Sequence, residues 1–114
     1  MNDIYQLCDE IFTWQSEVFG SGQKRVLPTL RHLSKEITTE IIEPMGAGKI
    51  PENLPEEYAD CFILLINALY NSGYTFKDLE LFVRRKFAIN KARKWSKPNE
   101  EGIIEHVREE DGTA

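Results

Sequence analysis

The sequence predicts an all-α fold, a four-helix bundle-type arrangement, on three observations. Apolar residues recur at helical spacing in four separate segments. The connections between them are short and rich in Gly, Pro and Asn. Nowhere does a convincing alternation of apolar and polar residues mark a strand, so helices packed on helices are the expected architecture.

The first helix is expected over Asp3 to Phe19, where Ile4, Leu7, Cys8, Ile11, Phe12 and Val18 share a helical stripe, and Gly20-Ser21-Gly22 ends it. The second starts between Lys24 and Pro28, since proline is tolerated in a first turn. Its stripe is Leu30, Leu33, Ile37 and Ile41. It is expected to end at Glu43-Pro44, because the residue before a proline avoids helical geometry. Met45 to Leu54 reads as a loop. Pro55 opens the third helix, which runs to Asn71 with Gly73 as its stop. Thr75-Phe76-Lys77-Asp78 resembles a capping box for a fourth helix that continues to about Trp95. Residues 1–96 thus read as one helical domain. Residues 97–114 read as a polar C-terminal tail, expected to hold a short helix around Ile103 to Val107 and then fray.

At 114 residues the chain suits one domain with a modest core, which assembly with other copies would help. The longest apolar run is about six residues, far below the roughly 20 of a membrane helix. Without a signal-peptide pattern, the expected location is cytoplasmic, with Cys8 and Cys61 reduced. A net charge of −5 argues against a nucleic-acid polymer as partner. Yet Arg84 to Lys97 carries seven basic residues, half of the chain's 14, and no acid. One concentrated basic stripe on an acidic protein points to a local anionic partner such as a phosphate-bearing small molecule.

The acids carry the sharper signal. Glu57 and Asp60, three apart, share a helix face and lead directly into Cys61-Phe62-Ile63-Leu64-Leu65-Ile66. Carboxylates against an apolar wall are protonated, paired with cations or holding a metal. Glu56 beside them reads as a helix-start acid that complements the dipole. On the second helix Glu36, Glu40 and Glu43 form another acidic stripe. Alone, it reads equally as a solvated edge. If helices two and three pack antiparallel with these stripes facing, three or four carboxylates converge and repel unless divalent cations occupy the cluster. Oxygen ligands without Cys or His favour Mg²⁺ or Mn²⁺. Lys86, Asn90 and Arg93, at i, i+4 and i+7, share a face that suits phosphate oxygens or, equally on spacing, a solvated helix end. Trp14 and Trp95 are packing residues or bases' stacking partners. His32 and His106 have no zinc-like spacing, and Gly46-Ala47-Gly48-Lys49 lacks the phosphate-loop spacing.

His32-Leu33-Ser34-Lys35-Glu36-Ile37, Glu57-Tyr58-Ala59-Asp60 and Lys86 through Asn90 to Arg93-Lys94-Trp95, in this order, resemble the MazG-like nucleotide pyrophosphohydrolases. The resemblance is closest to the small phage and bacterial branch described as dATP/dGTP diphosphohydrolase-like. Trp14-Gln15 with Phe19, and Lys97-Pro98-Asn99-Glu100-Glu101-Gly102 with Glu105-His106, extend it over nearly the whole chain. It implies a catalytic all-α domain over 1–96, assembled as a homodimer or homotetramer. It also implies Mg²⁺-dependent hydrolysis of a nucleoside triphosphate to the monophosphate and pyrophosphate, with Mn²⁺ as a substitute ion. Glu36, Glu57 and Asp60 fall on metal-ligand positions; Lys86, Asn90 and Arg93 fall on phosphate-contacting ones, with Trp95 as a further nucleotide contact. One departure stands out. The family usually has a second acid three residues after the one matching Glu36, and here that position is Thr39, with Glu40 one residue later. Glu40 is expected to supply that carboxylate, as metal ligand and, with Glu36, as candidate general base. The expected reaction is cleavage of a purine deoxynucleotide between its α- and β-phosphates, for nucleotide-pool control. The alternative is a non-catalytic nucleotide-binding or regulatory helical bundle.

Overall fold

The computed structural model describes residues 3–108. Helix α1 (Ile4–Phe19) begins where Asp3 Oδ1 accepts the Gln6 N–H at 2.8 Å, and stops at Gly20 with φ 81°. A short turn leads into α2 (Val26–Ile37), which continues without a break through a π-helical turn (Thr38–Ile42) into α3 (Glu43–Gly46). Helix α4 (Leu54–Asn71) follows a loop, and α5 (Phe76–Ala92) follows a tight turn. Among the described residues there are thus four long helical stretches, as the periodicity requires.

Two helix ends follow the sequence closely. Tyr74 N–H reaches Leu69 C=O and Gly73 N–H reaches Tyr70 C=O, the paired bonds that a glycine at positive φ (96°) permits. Thr75 and Asp78 then close a reciprocal cap, Asp78 Oδ2 accepting the Thr75 N–H at 2.9 Å and Thr75 Oγ1 accepting the Asp78 N–H at 3.3 Å.

Glu43-Pro44 does not end the second helix as expected. In the π-helical turn the Glu43 N–H bonds to Thr38 C=O, five residues back. This wider turn directly ahead of Pro44 draws the backbone away from the proline ring, which in an α-helix would collide with the carbonyl four residues earlier. Thr39 assists, its hydroxyl donating to Lys35 C=O at 2.8 Å, a bond that bends helices.

The chain forms two compact units, Met1–Leu79 and Glu80–Ala114. In the first, α2 and α4 are the most extensively packed pair and α1 lies on α4. Cys8, Ile41, Ile66 and Ala68 are its buried apolar residues, flanked by Phe12–Tyr70 and Phe62–Phe76 ring contacts. Neither cysteine is bridged.

In the second unit the expected short helix over Ile103 to Val107 is not formed. The Ser96 N–H bonds to Glu105 C=O and the Val107 N–H to Lys94 C=O, both at 2.7 Å, so Trp95 and His106 pair as an antiparallel bridge. Asn99 explains the difference. Its Oδ1 accepts the N–H groups of Glu101 and Ile103, and with Gly102 at φ 80° it folds a local turn that competes with helix. The β-branched Ile103 and Ile104 then favour extended backbone. The same bridge ends α5 at Ala92, short of Trp95, and the Trp95 indole N–H satisfies a carbonyl of the last turn, that of Asn90, at 2.8 Å. The expected fraying of the last residues, 109–114, lies outside the described residues.

His106 gives this unit a pH dependence. Burial first, then the charges of Arg93, Arg108 and Lys86, hold its pKa below 6.5. The folded unit therefore favours the neutral ring. The stabilisation is intact above pH 6.5 and lost as the pH falls below it toward the folded pKa. In an NMR titration the His106 ring should show its midpoint below 6.5. A midpoint at or above that value would contradict the burial described.

Candidate active site

Thr29, early in α2, bonds to Asn67, late in α4, while Glu36, late in α2, meets Glu57 and Asp60, early in α4. The two helices are therefore antiparallel, and their acidic stripes face each other. One carboxylate oxygen from each of Glu36, Glu57 and Asp60 lies within 4.8 Å of the others.

Glu57 is the centre of strain. It is only 7 % exposed. Asn53 Nδ2 donates to its Oε1 at 2.7 Å, while its Oε2 is buried with no hydrogen-bond partner. Burial pushes its carboxyl above 4.5, and the charges of Glu40 and then Glu36 push in the same direction. Among the described residues no Lys or Arg forms an ion pair with the trio. Three convergent carboxylates with an orphaned buried oxygen and no cation fit a divalent metal ion, and an all-oxygen donor set fits Mg²⁺ or Mn²⁺. Cys61 adjoins the trio, but burial first and then Glu36, Asp60 and Glu57 raise its pKa, so it remains a thiol and offers no thiolate to a softer metal.

Glu40 is exposed and stands outside the trio, although its charge is felt at Glu57 ahead of that of Glu36. It lies within the π-helical turn. A π-turn holds more residues than an α-turn, so each advances by less than about 100°. That rotates Glu40 back toward the side where an acid three residues after Glu36 would stand. The extra residue in the turn thus offsets the one-residue delay between Thr39 and Glu40. Glu43, beyond the turn, has no place in the trio, and Glu56 is an exposed first-turn acid of α4 as expected.

Beside Glu36 and Asp60 a cavity of about 380 Å³ opens between α1, α2 and α4. Trp14 and Phe19 stand edge to face at 5.6 Å on one side. Arg25, Thr29, His32, Gln15 and Asn67 add polar groups. Gln15, Thr29 and Asn67 are nearly fully buried. Of these residues only Trp14 is expected from sequence as a base contact. Gln15 carries a legible signal, since it follows Cys8 and Ile11 on the apolar stripe of α1, where a polar side chain is costly unless bonded. Arg25, Thr29 and His32 carry none.

In the second unit, Lys86 is exposed, and Asn90 and Arg93 are half-buried. The charges of Lys86 and Arg93 both act on His106, so the structure brings these two cations to one locality. Arg93 Nε is buried without a partner. Trp95 meets the His106 ring edge to face at 6.1 Å, and its N–H is committed to Asn90.

Residues 7–113 match the family model described as dATP/dGTP pyrophosphohydrolase. Among solved structures the chain is similar to the cyanophage S-2L MazG-like pyrophosphohydrolase, solved bound to dGDP and three catalytic Mn²⁺ ions per active site. The identity is 27 % and the TM-score 0.70, over 94 % of this chain and 99 % of that one. No curated protein matches.

Proposed function

The chain belongs to the dATP/dGTP pyrophosphohydrolase family, a nucleotide pyrophosphohydrolase with a MazG-like all-α fold, and from that premise we propose that it converts purine deoxynucleoside triphosphates to monophosphate and pyrophosphate with Mg²⁺. Mn²⁺, the ion bound by the cyanophage protein, is the proposed substitute. The observation that carries the reading is the trio of Glu36, Glu57 and Asp60 with its orphaned Glu57 oxygen.

Glu36, Glu57 and Asp60 would hold the cation, with Glu40 as a fourth carboxylate. The bound ion supplies neutralisation of phosphate charge and a lowered pKa for water. Glu36 or Glu40, both less buried than Glu57, takes the proton of the water that attacks the α-phosphorus. Lys86 and Arg93 offset the charge that develops on the leaving pyrophosphate, and Asn90 and Trp95 add nucleotide contacts. These four rest on their charge, their shared helix face and the family pattern. Replacing Lys86 by Ala should weaken nucleotide affinity about tenfold, the scale of one lost charge-assisted hydrogen bond. An unaltered Kd by calorimetry would remove Lys86 from the assignment.

The protein is proposed to act as a homodimer or homotetramer in nucleotide-pool control. Leu81, Phe82, Val83, Phe87 and Ile89 of α5 are all exposed, more apolar surface than one short helix normally leaves in water. Sedimentation at 13.2 kDa would refute assembly. Among the described residues no helix is long and apolar enough to cross a membrane.

A panel of nucleotides incubated with Mg²⁺ or Mn²⁺ and scored for pyrophosphate tests the activity. Release of pyrophosphate is expected from purine deoxynucleotides first. Silence across the whole panel would leave the non-catalytic nucleotide-binding reading, which Thr39 motivates.

A further inference from the structure

We propose that the cavity beside the carboxylates reads position 6 of a purine through Asn67, and so favours a 6-oxo base (guanine, hypoxanthine) over a 6-amino base (adenine). This rests on the nucleotide reading above and concerns what that site selects.

Side-chain amides are normally ambiguous readers, because rotation by 180° exchanges donor and acceptor. Here both ends of an amide chain are pinned by backbone groups, which cannot exchange. At one end the Gly22 N–H donates to Asn71 Oδ1 at 2.8 Å. The Asn71 amide nitrogen must then donate, and it does so to Asn67 Oδ1 at 3.0 Å. Thr29 Oγ1 donates to the same oxygen at 3.0 Å. Asn67 Oδ1 thus has both acceptor positions filled, and the Asn67 nitrogen faces Gln15 Oε1 at 3.0 Å. At the far end Gln15 Nε2 donates to Ile63 C=O at 3.3 Å, which fixes Gln15 in turn.

The valences left over define the reader. Asn67 has one unused N–H and no unused acceptor. Gln15 Oε1 keeps one lone pair beside it. Asn67 and Gln15 both line the cavity, 5 % and 3 % exposed respectively. A donor next to an acceptor complements an edge that carries an acceptor next to a donor. Guanine and hypoxanthine present O6 and N1–H in that arrangement. Adenine presents the reverse, an amino donor at position 6 and an acceptor at N1, so its amino group would face the Asn67 N–H and leave two buried groups unpaired. A site that bonds one edge rejects the mismatched one more strongly than an apolar wall can. Trp14 and Phe19 supply ring contacts that do not distinguish the purines.

The test compares kcat/KM of the unmodified protein for dGTP, dITP and dATP; dITP has the 6-oxo group but no 2-amino group. The expected result is dGTP and dITP within about threefold of each other and dATP about tenfold or more lower. Equal rates for dATP and dITP overturn the inference and leave the hydrolysis reading standing. So does dITP falling with dATP, which would mean that the 2-amino group is read. If no nucleotide is hydrolysed, calorimetric Kd values for dGMP, dIMP and dAMP decide instead. Tighter dGMP and dIMP then uphold base reading while the activity reading fails, whereas equal or absent binding overturns the inference. Asn67→Asp puts an acceptor in place of the N–H and should narrow the dITP-to-dATP ratio at least about threefold. An unchanged ratio in the folded variant removes Asn67 as the reader.

Discussion

Glu57→Gln should lower kcat/KM at least about 100-fold, since even residues behind a metal ligand commonly change activity or affinity 10- to 100-fold. It should also stabilise the metal-free protein. The ionised Glu57 is buried, faces Glu40, Glu36 and Asp60, and has only Asn53 as a compensating partner. Its folded pKa lies above 4.5, so its favourable contribution is complete below that value and is lost as pH rises through the folded pKa. At pH 8 the wild-type carboxylate therefore costs stability that a neutral amide does not. Thermal unfolding in chelator should show a higher Tm for Glu57→Gln than for wild type, with the advantage shrinking as the pH approaches 4.5. Added Mn²⁺ should raise the wild-type Tm and leave the variant's nearly unmoved. A variant that keeps full activity, or keeps the metal-dependent shift, would remove Glu57 from the centre. A gain in stability with a loss of activity is the behaviour of a site held against local repulsion for function.

Asn67→Ala is expected to destabilise the fold by about 3 kcal/mol. The change removes the partner of three buried groups at once: Thr29 Oγ1, Gln15 Oε1 and the Asn71 amide. Each buried polar group left unpaired costs about 1–3 kcal/mol, with entering water offsetting part of it. The urea midpoint should fall while the slope of the transition stays unchanged, the sign of lost native contacts rather than an altered unfolded state. A loss below about 1 kcal/mol would show that water already satisfies these groups. Because Asn67 is also the proposed reader of the base, the stability and selectivity effects have one origin.

Much of this was legible from local pattern. The four helical stretches follow from apolar periodicity, and the turn between α4 and α5 follows from Gly73 and the Thr75–Asp78 pair, whose roles depend on their own backbone. Glu57 and Asp60 were legible as unusual because acids at the edge of an apolar run are costly wherever the chain goes. The hairpin of the second unit was hidden, since Asn99 reaching Glu101 and Ile103 competes with helix on nearly equal local terms, and the pairing of Ser96 with Glu105 decided it. The π-helical turn was hidden too. Thr38 to Ile42 has ordinary helical composition, and Pro44 alone suggested a helix end rather than a widened turn that carries the helix past it.

The sequence by itself determined the all-α class, the helix ends and the family, because periodicity, caps and motif order are properties of neighbouring residues. Tertiary structure alone decided which acids meet. Glu36 and Asp60 are 24 positions apart, and only the antiparallel packing of α2 on α4 makes one carboxylate cluster of two separate stripes. It likewise decided the amide chain, since Gly22, Asn71, Asn67, Gln15 and Ile63 come from three regions of the chain. The direction of those hydrogen bonds depends on backbone groups at both ends that no local pattern brings together.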